Sequence, residues 1–104
     1  MELTADILLR AYAAGVFPMA ESADDPSLFW LDPDMRGILP LDRFHCPKRL
    51  TRTVKQDRFE IRIDYDFNGT VAACAQSRDA RPETWINDQI KGLYRELFEI
   101  GHAH

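Results

Sequence analysis

The sequence is short of several things that would settle a function at once. It has two cysteines in 104 residues, Cys46 and Cys74, and they lack CxxC spacing. They read as two reduced cytosolic thiols, with Cys74 in the core, and not as a disulfide or metal pair. Histidine is equally sparse. His102 and His104 stand two apart, His45 is the third, and no carboxylate lies at a ligand spacing from them, which favours ordinary polar residues over a metal site. Neither cysteine has a histidine near it except His45-Cys46, where adjacent side chains point apart, so no nucleophile pattern emerges. A glycine-rich phosphate loop is missing too. The longest uncharged apolar run, Ala11 to Ala20, is broken by Gly15 and Pro18. A membrane span needs ~20 residues. Glu2 and Asp6 occupy the N-terminus where a secretory signal would be basic, so the expected location is cytoplasmic with no membrane partner. The net charge of -4 argues against a generic nucleic-acid coat, although a local basic patch remains compatible with it.

What is present is ordinary for a globular chain: 45% hydrophobic and 29% charged residues, enough for one domain or part of one. The clearest element is a helix after Trp85. Ile86, Ile90, Leu93, Leu97 and Ile100 draw one apolar stripe, and Gly101 suits a left-handed cap at its end. Upstream, Thr4 can cap a first helix with Asp6 in its first turn and Gly15 at its stop. Val16 to Met19 reads as extended, and Glu21 to Ser27 as a loop. Leu28 to Leu31 reads as an aromatic strand paired with Arg36 to Leu41, with Trp30 in the core. Five of six prolines lie at or before Pro47, which predicts a small irregular lobe over residues 1–45.

Pro47 suits the start of a second helix running to about Gln56, with Leu50 and Val54 facing inward. Phe59, Ile61, Ile63 and Tyr65 alternate with polar residues and predict a half-buried strand. Asp66 can cap a third helix with a Phe67, Val71, Cys74 and Ala75 stripe. Gln76 to Pro82 is a charged loop, and His102 to His104 begins what reads as another strand. From Phe59 onward the order is β-α-α-β, and one strand alone makes no sheet. The fold class is therefore α+β. Either the chain is a fragment or a partner completes the sheet, and a missing sheet would leave an apolar edge favouring self-association.

Two features could carry chemistry. Arg43, Lys48, Arg49, Arg52, Lys55 and Arg58 place six cations in sixteen residues. A solvated helix face is the plain explanation, and a contact with phosphate backbone is the functional one. Trp85, between polar neighbours at a helix mouth, can be a core anchor or a stacking platform for a base, and spacing alone slightly favours the first. Tyr12 and Tyr94 lie on or beside apolar faces and could line a pocket or simply pack.

Several segments, in order, resemble one family. Tyr12-Ala13-Ala14-Gly15-Val16-Phe17-Pro18 is similar to its Tyr-x-x-Gly-x-Phe-Pro segment, and Trp30-Leu31-Asp32-Pro33-Asp34-Met35-Arg36 to its Trp-x-x-Pro-x-x-Arg segment. Cys74-Ala75, Thr84-Trp85-Ile86, Tyr94-x-x-Leu97 and Gly101-His102-Ala103-His104 follow in the family's order. The family is the bacterial leucyl/phenylalanyl-tRNA–protein transferases. The resemblance implies an aminoacyltransferase that moves Leu or Phe from aminoacyl-tRNA to the N-terminal Arg or Lys of acceptor proteins, marking them for degradation as an N-degron. It implies an N-terminal lobe followed by an acetyltransferase-like α/β domain, of which residues 46–104 would be the first part. Family members continue further, into a half that holds the main catalytic contacts, so the 104-residue chain is expected to be inactive alone and its catalytic residues are not assigned. Tyr12, Trp85 and Tyr94 are carried over as substrate-binding, with Trp85 stacking on the terminal adenosine. Met19 borders the site where many members have an aromatic residue. Lys48, Arg49, Arg52 and Lys55 are expected to meet tRNA phosphates. The aminoacyl ester is already activated, so neither cofactor nor metal is expected, and catalysis calls for positioning, mild proton removal and oxyanion stabilisation. A non-catalytic RNA-binding or structural module is the alternative, and the extent of the reading frame beyond His104 separates the two.

Overall fold

The computed structural model describes residues 2–104. In chain order the elements are α1 (Ala5–Ala13), β1 (Phe17–Met19), β2 (Phe29–Leu31), a 3-10 turn (Leu41–Arg43), α2 (Lys48–Lys55), α3 (Phe67–Cys74) and α4 (Asp88–Glu99). They fall into two compact units. One contains the chain up to Pro33 together with Asp64–His104; the other is Asp34–Ile63. The mixture of helices with a two-stranded antiparallel sheet is α+β. No helix among the described residues is long and apolar enough to cross a membrane.

The first unit is built on α4. The Oδ1 of Asn87 accepts from the Ile90 N–H at 2.9 Å, which satisfies a donor that the first turn leaves open. At the other end Gly101 takes φ 84°, so the His102 N–H reaches the Leu97 carbonyl at 2.8 Å and the Gly101 N–H the Phe98 carbonyl at 3.1 Å. That is a Schellman cap, the role its glycine suggests. Between the caps the apolar stripe divides its work. Leu93 and Leu97 close a cluster with Leu8 of α1, while Ile86 and Ile90 close a second with Ala20. Tyr94 packs on both. Only Ile100, past the last turn, is exposed.

The supporting elements follow local rules. Thr4 caps α1 through its Oγ1, which accepts from the Ile7 N–H at 3.3 Å, and Gly15 ends that segment at φ 86°. Asp66 caps α3, its Oδ1 accepting from the Gly69 N–H at 3.0 Å. Val71 and Ala75 of that helical face pack on the Ile86–Ile90 cluster, and the Phe67 ring stacks on Phe98 at 4.6 Å between centroids.

Several expectations need correction. β2 pairs with β1 in the register Phe17 to Leu31, Pro18 to Trp30 and Met19 to Phe29, and not with Arg36 to Leu41. The burial of Pro18 and Ala20 draws β1 into the core and brings its neighbour with it, whereas Pro40 removes a ladder donor from the expected partner. Trp30 is half exposed rather than core, because a two-stranded sheet buries only part of each ring. Cys74 is exposed: Val71 and Ala75 set the contact line of α3, and residue 74 is turned away from it. α2 has the expected span between Pro47 and Gln56, but Leu50 and Val54 are exposed, since no residue of Asp34–Ile63 is buried. Phe59 to Tyr65 is not a strand. It contains bends, Asp57 just before it and Asp64 within it have positive φ, and Ile61 is 84% exposed. A period-2 pattern becomes a strand only when a neighbour pairs its N–H and C=O groups, and no strand among the described residues does so. His102 to His104 is also irregular.

Candidate functional site

Four of the residues singled out for substrate binding belong to the unit built on α4. Tyr12 leaves α1 about one turn beyond Leu8, and Tyr94 leaves α4 next to Leu93, so the Leu8–Leu93–Leu97 cluster aligns the two helices and brings the rings together. The rings meet edge to face with centroids 6.4 Å apart and an interplanar angle of 83°. Their hydroxyls hydrogen-bond directly. The pair is asymmetric: Tyr12 is 46% exposed, while Tyr94 is half-buried against both core clusters. Burial raises the Tyr94 phenol well above its ordinary pKa, and the hydrogen bond and charge of Tyr12 push it in the same direction. Tyr94 therefore remains an O–H donor at neutral pH.

Trp85 lies two residues before the Asn87 cap. Its carbonyl accepts from the Ala20 N–H at 2.9 Å, which fixes the Trp85 backbone beside the end of β1, directly after Met19. The indole is 37% exposed, between a buried Thr84 and a buried Ile86. It is neither sealed in packing nor free. Met19 is intermediate in burial and opposite Phe29. The structure thus joins Tyr12 to Tyr94 by side chain and the Met19 end of β1 to Trp85 by backbone.

The loop that carries Asp25 is held by a residue that the spacing analysis did not single out. Asn87, beyond capping α4, donates from Nδ2 to the Asp25 carbonyl at 3.0 Å. An Asn three residues ahead of Ile90, at the head of an apolar stripe, is itself an N-cap signal and could have been read. Asp24, Asp25 and Asp88 line a concavity of about 170 Å³ beside this cap. The hydrogen bond from His104 Nδ1 to Asp64 Oδ2, 2.8 Å long and spanning 40 positions, carries no comparable local signal.

The basic residues lie in the other unit, on α2. Lys48, Arg52 and Lys55 recur at steps of four and three and line one concavity of about 390 Å³ with Cys46, Thr51 and Gln56. The Cys46 thiol sits 3.1 Å from the Thr51 hydroxyl there. Arg49 stands on a neighbouring face, its carbonyl accepting from the Thr53 hydroxyl at 3.1 Å. Among the described residues none of these four cations is paired with a carboxylate.

Comparison with known proteins finds family matches along two consecutive segments of the chain. Residues 38–104 match the family described as leucyl/phenylalanyl-tRNA protein transferase, and residues 1–34 match the N-terminal domain of that family. A leucyl/phenylalanyl-tRNA–protein transferase of Paramagnetospirillum magneticum is 58% identical over 102 residues, which cover 98% of this chain and 49% of the relative. One from Rhodopseudomonas palustris is 54% identical over 103 residues, covering 99% of this chain and 46% of the relative. The chain spans about half the length of these curated relatives. Matched along both segments in order and at this level of identity, the chain belongs to the leucyl/phenylalanyl-tRNA protein transferase family.

Proposed function

We propose that the protein takes part in transferring Leu or Phe from aminoacyl-tRNA to the N-terminal Arg or Lys of acceptor proteins in the cytoplasm, as the first step of their degradation. The observation that carries this reading is the 58% identity to a transferase over 98% of the chain. In it, Trp85 stacks on the terminal adenosine. Tyr12 and Tyr94 line the place of the aminoacyl end, and Met19 borders it. With the Tyr94 proton donated to the Tyr12 oxygen, the Tyr12 proton is left for a ligand acceptor. Lys48, Arg49, Arg52 and Lys55 meet tRNA phosphates. The exposed apolar alternation from Phe59 to Tyr65 supports completion of an acetyltransferase-like sheet by further strands. In the isolated chain the same surface favours self-association.

The chemistry asks little of a cofactor. The acyl ester is activated, and an α-amine with a pKa of ~8 has a usable neutral fraction near pH 7. The test uses the full-length protein with labelled Leu-tRNA or Phe-tRNA and a peptide beginning with Arg. Label appearing on that peptide, and not on one beginning with Ala, is the expected result; RNA binding without transfer would instead favour a non-catalytic RNA-binding module. Charge reversal of Arg49 and Arg52 should weaken tRNA binding and lower the slope of log affinity against log salt by about 1.5 to 2. An unchanged slope removes the phosphate role.

A further inference from the structure

His104 and Asp64 meet through two unusual backbone turns. Asp64 has φ 60°, in the left-handed region that aspartate enters more readily than most non-glycine residues. Gly101, also left-handed, ends α4 and sends the chain back through the His102 N–H bond to Leu97. The returning segment sets Ala103 against the Leu8–Leu93–Leu97 cluster, and His104 then reaches the carboxylate of Asp64 at 2.8 Å. A carboxylate can only accept, so Nδ1 carries the proton and donates it. The same cluster aligns α1 with α4 and supports Tyr94.

We propose that Asp64 and His104 are positioning residues for the Tyr12–Tyr94 pair: their hydrogen bond holds Ala103 on the Leu8–Leu93–Leu97 cluster, and the closed cluster sets the helix spacing at which the two tyrosines meet. Ala103 packs, with Leu3, Ala5, Leu9 and Tyr94, against a cluster of three buried leucines, so losing it removes part of the cover of a small core. Neither Asp64 nor His104 needs to touch a ligand. That this arrangement serves aminoacyl-tRNA rests on the function proposed above, but the positioning itself does not.

The test therefore needs no activity. It uses NMR of the 104-residue chain at neutral pH, reading ring-to-ring cross-peaks between Tyr12 and Tyr94 together with amide exchange at Leu97 and His102. His104→Ala removes the donor. It should weaken the ring cross-peak and speed exchange at His102 by about two- to five-fold, the factor expected for one pair whose histidine is largely exposed to solvent. His104→Asn places an amide N–H where Nδ1 stood and should restore both signals, as should Asp64→Asn, whose oxygen still accepts and whose side chain tolerates positive φ. Slow exchange at Ile90 in every variant reports that α4 remains folded. A wild-type ring cross-peak in His104→Ala, or failure of His104→Asn to restore it, overturns the proposal. Labelled transfer by the full-length protein is a separate readout, so its absence in wild type would count against the proposed function and leave the positioning result standing.

Discussion

Replacing Asn87 by Ala tests whether the mouth of α4 is held as the structure shows. Asn87 is 4% exposed and makes two hydrogen bonds in opposite directions: Oδ1 accepts from the Ile90 N–H at 2.9 Å, and Nδ2 donates to the Asp25 carbonyl at 3.0 Å. Loss of the cap costs about 0.5 to 2 kcal/mol. The Asp25 carbonyl is only partly buried, so water can replace its lost donor and that contribution falls near the low end, about 1 kcal/mol. The two together give about 1.5 to 3 kcal/mol. At about 4 to 8 °C per kcal/mol for a domain of this size, the melting midpoint should fall by about 6 to 24 °C.

Asn87→Ser separates the two bonds. Serine still caps, but its hydroxyl is too short to reach Asp25 while its oxygen accepts from Ile90. It should therefore lose only about 1 kcal/mol. Urea unfolding followed by circular dichroism measures both differences. If Asn87→Ala loses less than about 0.5 kcal/mol, or if the Ser and Ala variants unfold together, the division of labour assigned to the two amide atoms is wrong.

Three further perturbations follow from the same unit. Leu8→Ala empties the only buried position of α1 and should cost about 2 to 5 kcal/mol in urea unfolding, with Tyr12 loosened from Tyr94 as judged by NMR. Gly101→Ala should cost about 1 kcal/mol: a Cβ there meets nothing within 4 Å, so only the left-handed backbone at φ 84° resists it, and a thermal melt matching wild type would contradict the cap assignment. Tyr94 has its phenol pKa raised in the fold, so above the ordinary tyrosine value of ~10 the unfolded chain releases a proton that the folded chain retains. Stability should decline as pH rises beyond that point. Tyr94→Phe should flatten the decline in alkaline urea titrations; an unaltered decline would place its origin elsewhere.

What could be read in advance was what lies within one turn of a helix. Thr4, Asp66 and Gly101 act at the positions their chemistry suggests because a cap is satisfied by atoms three to five residues away. The Ile86–Leu97 stripe was legible for the same reason. The alternation from Phe59 to Tyr65 was misread because its periodicity is a condition for pairing and not a cause of it: a strand forms where a second segment supplies partners, and periodicity in one segment says nothing of the other. Trp30 and Cys74 went wrong by a related route. Each is apolar and stands beside apolar neighbours, yet burial was decided by which residues met another element: β1, not Trp30 on β2, packs on α1, and the Val71–Ala75 side of α3, not Cys74, faces the Ile86–Ile90 cluster.

The site shows the same division. Tyr12 and Tyr94 are 82 positions apart, and neither has a local pattern distinguishing a pocket wall from packing; the resemblance selected them, and the contact between their hydroxyls gives the selection a geometry. The contact exists because Leu8 stands four residues before Tyr12 and Leu93 immediately before Tyr94, so burying the leucines brings the phenols together. A core pair and a candidate ligand pair are then consecutive layers of one helix–helix interface. Any change that shifts α1 along α4 must move both, which makes the substrate-binding geometry proposed here as sensitive to leucine packing as to the tyrosines themselves.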